Sequence, residues 1–465
     1  MELQKTTLNK ILNKEEFKVK ISTSRLLQIF SKTFNRTKKI FLEIINNNMS
    51  CLEKSPNGED INPILWQCGH IIYFYIKHCS KYYNLNTVGY NINTINFYDS
   101  YLTKTQFRYN QEKLVDIYIL LNKFQKIYDI INLQLYSSKL NHKEKYVLLL
   151  SILHNEMHIE ALIFSGLNIG YIFNSFISLR LTNLSLRTSN NDIQTKIRFI
   201  DINCKSFIQG SRNSNNYLSF DNERPAFRKY LDDFSISEYP ITEYQFLDFI
   251  LEGGYETKMY WTEESWEWIQ NNNIHCPIYW SFENLKFRET NYPVCNISWY
   301  EAQAYCKWAG YRLPTESEWE CVATYYGKFK YPWGDKMEPS YCNLNYTING
   351  PLEINDVKLK IEKTYTGVKQ LIGNVWEWCE DSIYPYDGFT IDPVYREMSY
   401  PFFGFKKICR GGCFAVPDYL INSRYRNAQM PDCRIQFIGF RVCKNINLKK
   451  IRENRRDKIN KIIEI

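Results

Sequence analysis

The sequence predicts two domains of different class, an all-α half followed by an α+β half. Two observations carry this reading. From residue 20 to about 180, apolar residues recur with a helical period and glycines are few. After about residue 195 the pattern breaks into short strand-like runs, glycine turns and many tryptophans. At 465 residues, with 44% hydrophobic and 16% aromatic content, the chain has enough material for two cores, which excludes a disordered or fibrous protein. The domains are expected at 20–180 and 195–445, joined somewhere in 175–200, with a basic tail at 446–465.

The N-terminal stretch MELQKTTLNKILNKEEFKVK lacks the apolar run of a secretory leader, and the 14 cysteines are scattered without CxxC pairs. Both point to a reducing, cytoplasmic setting. No uninterrupted apolar run of about 18 residues occurs, so no membrane span is expected. The first helix is RLLQIFSKTFNRTKKIFLEII. The second is PILWQCGHIIYFYIKHCSKYY, opened by Asn62 as cap with Pro63 in its first turn. QEKLVDIYILLNKFQKIYDIINLQLY and KEKYVLLLSILHNEMHIEALIFSGL supply the third and fourth. Four helices with modest connections predict an antiparallel bundle, whose interior is a common seat for a metal. In the second half, FIQGS, SFDNERPAF, PITEYQFLDFI, YRLPTESEWE, GNVWEW, CRGGCF and IGFRVC alternate with turns, and one or two helices are expected, one of them at SWYEAQAYCKWAG. Trp299, Trp308, Trp319, Trp376 and Trp378 are assigned to the core. The last 18 residues, LKKIRENRRDKINKIIEI, carry half of the net charge of +8 and read as a solvated terminal helix or tail, with no nucleic-acid or membrane partner.

The stretch LHNEMHIEALIF, 153–164, places two histidines four apart. On a helix they are about 40° and one turn apart, so His154 and His158 present their imidazoles to one point. Glu160 is about 240° from His154 and faces elsewhere, as a structural acceptor or an outer partner of the site. Asn155 stands where the HExxH pattern of zinc proteases needs glutamate. Such a pair alone is more often structural than metal-binding, but His70, in mid-helix among aromatic residues, is a third candidate, since an unpaired imidazole is costly to bury there. His78, about 12 Å further along the axis, is expected to surface near the helix end, and His142 and His275 to lie in polar loops. Three neutral imidazoles suit Zn, Fe or Cu.

His154, His158 and Glu160 also fit the H-x3-H-x-E signature of DinB-like bundles. FDNERP, PITEYQF, GGYE, YRLPTESEWE, GNVWEW, RGG and GFRVC resemble the formylglycine-generating-enzyme or sulfatase-modifying-factor fold, a C-type-lectin-like domain. In this order the two halves, over residues 25 to 445, resemble the non-haem iron sulfoxide synthases of ergothioneine and ovothiol biosynthesis. The resemblance implies an Fe(II) site at His70, His154 and His158, with O2 as co-substrate, that joins cysteine sulfur to an imidazole carbon. It implies Tyr395, in YREMSYPFFG, as proton donor, with Tyr400 as the fallback. It carries Asn427 over as a substrate contact. Beside it Ala428 and Gln429 depart from the Trp-Asp of the actinobacterial type, and Met157 replaces a Gln there, closer to the ovothiol type. Lys104 and Arg108 are candidates for the thiol substrate's carboxylate, or ordinary surface charges. Formylglycine formation is excluded on this resemblance, because the working cysteines would fall near Val416 and Ile421. Cys409 and Cys413 read as packing residues. A structural calcium is a further candidate near GNVWEW and FDNERP.

The leading expectation is therefore an enzyme joining hercynine to cysteine or γ-glutamylcysteine. The alternatives are the ovothiol-type reaction on histidine itself and a non-catalytic metal- or ligand-binding module.

Overall fold

The computed structural model describes residues 19–49, 61–89, 92–137, 139–177, 193–212, 218–356, 359 and 363–445. The basic tail at 446–465 and residues 178–192 of the expected link lie outside them.

Helix α1, Thr23–Asn46, opens where Ser22 Oγ accepts from Arg25 N at 3.1 Å. It buries Leu26, Ile29, Phe30, Phe34, Phe41 and Ile44, the i, i+3, i+4 pattern of an amphipathic helix. Helix α2, Ile64–Tyr83, begins one residue later than the expected cap: Pro63 is the N-cap residue, and the Asn62 side chain is engaged elsewhere. A short α3, Ile92–Phe97, is an addition that the sequence pattern did not suggest. Helix α4, Ile117–Ser137, starts after Gln111–Lys113 have formed a separate 3-10 turn. Helix α5, His142–Asn168, opens on a capping box between Asn141 and Glu144, so His142 is its first residue and not a loop residue. Helices α1 and α2 each pack against α4 and α5, with Phe34 stacked on Tyr128 at 3.9 Å between ring centroids.

Among the described residues the C-terminal half holds three small sheets. Strand β1, Phe199–Ile202, pairs with β4, Phe234–Ser237, which pairs in turn with the last strand, β9, Cys443–Asn445, all antiparallel. β2, Ser206–Gln209, and β3, Phe227–Tyr230, form a two-stranded ribbon. The largest sheet has the order β7, Asn427–Gln429; β6, Lys407–Arg410; β5, Trp376–Ser382; β8, Ile438–Phe440, with β5 and β8 parallel. Among the described residues of this half four α-helices, α6 to α9, stand where one or two were expected: Glu243–Leu251, Glu263–Asn271, Trp299–Ala309 and Glu316–Ala323. Each opens on a reciprocal cap, from Thr242, Thr262, Ser298 and Thr315. PITEYQF and PTESEWE are thus helix starts and not strands. The reason is local: a hydroxyl followed three residues later by Gln or Glu satisfies two otherwise orphaned backbone donors, and that nucleates even a helix of 8 residues.

Trp319, Trp376 and Trp378 are fully buried, whereas Trp299 and Trp308 are half-buried at the rim. Between them runs a set of buried ion pairs. Arg410 bonds Glu316 and Glu320, Arg426 bonds Glu316, and Arg441 bonds both oxygens of Glu377 at 2.7 Å. Such pairs specify the fold more than they stabilise it, because removing one partner strands a charge in the core.

The two halves meet along α5. By length and composition α5 could cross a membrane, but most of its surface is buried inside this protein. Its Glu160 Oε1 accepts from the Trp376 indole at 2.8 Å and the Cys413 thiol at 3.1 Å. Its Glu156 Oε1 accepts from Thr33, Arg36 and Tyr419, each at 2.5 Å.

Candidate metal centre

The site grows out of the packing of α2 on α5. Residues four apart on α5 turn His154 and His158 to the same side, and α2 presents His70 opposite them. The imidazole centroids are 4.6 to 4.9 Å apart, and the three ligand atoms lie within 4.8 Å of one another. His70 Nε2 is 3.1 Å from His154 Nε2. His70 Nδ1 lies 2.6 Å from Tyr98 O, which can only accept, so Nδ1 carries the proton and Nε2 offers its lone pair. Trp66 stacks on His70 at 4.9 Å, and Phe74 stacks on His154 at 3.7 Å, which fixes two of the rings.

Burial keeps all three rings neutral. It lowers His70 to about 4 and holds His154 and His158 well below the usual histidine range, with the neighbouring imidazoles adding to the effect at His154 and His158. The Nδ1 atoms of His154 and His158 are buried without a hydrogen-bond partner. Rings placed this way, neutral and converging, suit a divalent transition-metal cation as donor set. Among the described residues this is the one group of three His, Cys, Asp or Glu close enough to hold a metal.

A cavity of about 590 Å³ opens beside the histidines and is walled by both halves of the chain. His70, His158, Met157 and Arg108 come from the helical side, and Tyr395, Asn427 and Gln429 from the other. The Tyr395 ring stands edge-on to His154 at 5.3 Å and to Phe74 at 5.2 Å. Burial pushes its phenol well above the ordinary tyrosine range, so it stays protonated. Tyr400, the fallback, is 59% exposed and lies off the cavity wall.

Arg108 is on the wall, with its guanidinium over Trp66 at 4.2 Å and donating to Asn62 Oδ1, Thr103 O and Ser100 O. Lys104, which caps the 3-10 turn at Thr105–Phe107, is exposed and outside the cavity. His78 is half-buried against Phe74 at 4.3 Å and does not surface; burial pushes it down to about 3. His275 lies in an exposed loop. Cys409 and Cys413 are buried, the latter against Glu160. Glu160 lines the cavity, and burial raises it to about 7. Near the calcium candidates, Asp221 accepts from Ser399 Oγ and Asp392 N, and Asn374 Oδ1 accepts from Leu352 N. These groups tie together loops that are distant in sequence. Sequence reasoning missed Tyr98, Glu156, Tyr419 and Asp392, which act through contacts distant in sequence.

Residues 193–446, more than half of the chain, match the family model of the sulfatase-modifying factor enzyme 1-like domain. The chain belongs to this family. Among curated relatives of this sulfatase-modifying-factor protein, the hercynine oxygenase of Mycobacterium tuberculosis is 33% identical over 254 residues, 52% of this chain and 59% of the relative. That of Mycolicibacterium smegmatis is 31% identical over 242 residues, 48% of this chain and 56% of the relative. The formylglycine-generating enzyme of Streptomyces coelicolor is 35% identical over 171 residues, 32% of this chain and 52% of the relative. The chain thus spans a little over half the length of the curated relatives it matches. Where the family resemblance puts the working cysteines of formylglycine formation, this protein has buried Val416 and Ile421, whose side chains offer no nucleophile.

Proposed function

We propose that this sulfatase-modifying-factor protein is an Fe(II)- and O2-dependent sulfoxide synthase, in which the helical half is a DinB-like bundle. It joins an imidazole carbon of hercynine to the sulfur of cysteine or γ-glutamylcysteine. The observation that carries this reading is the cluster of three neutral imidazoles opening into a cavity with a protonated tyrosine on its wall. Hercynine oxygenases among the curated relatives support it.

The overall change balances as imidazole C–H plus R–SH plus O2 giving imidazole–S(=O)–R plus water. One C–S and one S–O bond form, and the four electrons released reduce O2. Iron held by His70, His154 and His158 would bring thiolate and O2 together. The chain's own groups do the rest. Tyr98 O orients His70. Tyr395, protonated on the cavity wall, is the group placed to give a proton to the reacting oxygen. Asn427, Gln429 and Met157 bound the space for the imidazole substrate, and Arg108 lies where a substrate carboxylate would meet a cation. A reducing, cytoplasmic setting fits the 13 free cysteines among the described residues.

A second reading, the ovothiol-type reaction on histidine, is favoured by Met157 and by the uncharged Ala428 and Gln429 on the cavity wall. Oxygen uptake by anaerobically purified, Fe(II)-loaded protein, with hercynine or histidine offered against either thiol and products read by mass spectrometry, decides. A coupled sulfoxide from hercynine supports the first reading and one from histidine the second. Bound iron with no uptake for any pair overturns both.

A further inference from the structure

The loop that carries Tyr395 has little regular structure. Around it lie only two short 3-10 turns, Arg396–Met398 and Tyr400–Phe402, so no helix or strand ladder fixes its backbone. The tyrosine ring itself has edge-on aromatic neighbours, which orient it weakly, by about 1 kcal/mol each. Something else must hold it in register with the histidines.

We propose that Asp392 is the positioning residue for Tyr395, acting through a bond across the domain boundary to Tyr146 on the metal-bearing helix. This rests on the reading of Tyr395 as proton donor. The Asp392 carboxylate is 4% exposed and has each oxygen committed. Oδ1 accepts from the backbone N–H of Val394 at 2.8 Å and of Tyr395 itself at 3.0 Å. Oδ2 accepts from the Tyr146 hydroxyl. Tyr146 is buried on α5, eight residues before His154, a little over two turns along the same helix.

One carboxylate therefore grips both the backbone of Tyr395 and the helix that supplies two of the three imidazoles. Asp221 closes the knot from behind: its Oδ2 accepts from Asp392 N at 3.1 Å and its Oδ1 from Ser399 Oγ at 2.6 Å, which pins the loop at both ends. Charge-assisted bonds of this kind are stronger than the ring contacts. A displacement of about 1 Å at a reacting group is enough to cost on the order of 100-fold in rate.

Two substitutions cut the link with little change of shape. Tyr146→Phe deletes one hydroxyl. Asp392→Asn leaves Oδ1 to accept from Val394 and Tyr395 but replaces the acceptor facing Tyr146 with an amide. Each is compared with wild type and Tyr395→Phe by the ratio of coupled sulfoxide to oxidised thiol in the Fe(II)-loaded protein. The position is read separately, without metal or turnover, from the 19F resonance of 3-fluorotyrosine placed at 395.

In both link variants the resonance is expected to shift or broaden. The product ratio should fall several-fold toward thiol oxidation, as in Tyr395→Phe, with iron content near wild type. An unmoved resonance in Tyr146→Phe and Asp392→Asn overturns the proposal, as does a wild-type product ratio in both while Tyr395→Phe redirects oxidation. A moved resonance together with an unchanged ratio in Tyr395→Phe supports the positioning role and refutes the proton-donor reading instead.

Discussion

Replacing Gly69 by alanine, one residue before His70, sets two effects of opposite sign against each other. Helix propensity favours alanine over glycine in a helix interior by about 1 kcal/mol. Packing opposes it. A Cβ at position 69 would stand 2.1 Å from Tyr98 Cε1, 2.3 Å from Cζ and 2.7 Å from Cδ1. The Tyr98 ring is fully buried, Phe97 packs against it at 5.1 Å, and its hydroxyl accepts from Val115 N at 2.8 Å, so its far end is not free to swing. Forcing such a group aside costs about 1–3 kcal/mol. The same movement displaces Tyr98 O, which accepts from His70 Nδ1, and a strained buried hydrogen bond removes about 1 kcal/mol more. The balance is a net loss of about 1–3 kcal/mol, or roughly 2 to 4 °C in Tm per kcal/mol for a unit of this size. Thermal and denaturant unfolding measure the loss, and Co(II) titration followed by its visible absorption measures the accompanying weakening of metal binding. A Gly69→Ala protein that gains about 1 kcal/mol and binds Co(II) as wild type refutes the packing argument and its link to His70.

His158→Ala removes one of three imidazoles, and we expect metal bound at purification to fall from near one per chain to near none while the circular dichroism spectrum persists; retained metal removes His158 from the site. Arg441→Met strands the buried Glu377 carboxylate, which would keep the Trp319 indole at 2.7 Å as a donor, and should cost about 3–5 kcal/mol in denaturant unfolding. A loss under 1 kcal/mol contradicts that. Burial raises Glu223 from 4.5 to about 7, so the folded chain holds a proton that the unfolded chain has released. Its contribution to stability is present below about 4.5 and is lost as pH rises through 7, a change on the order of 3 kcal/mol. Glu223→Gln should flatten that decline relative to wild type; parallel stability curves between pH 4.5 and 7 count against the assignment.

Much of the helical half is legible in the sequence because long amphipathic helices repeat one local signal over five or more turns. The direction of His154, His158 and Glu160 then follows from 3.6 residues per turn alone. Legibility ends where a fold depends on contacts distant in sequence or on single dihedral choices. The start of α2 shifts by one residue because Pro63 takes the capping position while Asn62 turns to Arg108. Lys104 stays exposed while Arg108 lines the cavity, and the 3-10 turn between them carries no apolar period that would tell the two apart. Of the four short helices of the second half, the one at SWYEAQAYCKWAG is legible, but those that begin in PITEYQF and PTESEWE are signalled by their capping boxes, not by hydrophobic periodicity, and a reading that weighs periodicity first takes them for strands. Tyr419 and Asp392 carry no local mark at all: their partners Glu156 and Tyr146 are 263 and 246 residues away.

Those distant partners converge on one element. Helix α5 is buried around most of its circumference, and its polar residues divide the labour by angle. His154 and His158 face α2, whereas Glu156 and Glu160 bond Tyr419, Trp376 and Cys413 of the second half. Each carboxylate is two residues, about 200° of arc, from an imidazole, so the groups that dock the domains also fix the rotation of the helix about its axis. A rotation of about 20° would move a ring nitrogen some 6 to 7 Å from the axis by roughly 2 Å, comparable to a whole metal–nitrogen bond. The sulfatase-modifying-factor half thus supplies more than a cavity wall: together with Thr33 and Arg36 of α1, its bonds to Glu156 and Glu160 hold the helix at the angle that presents the histidines.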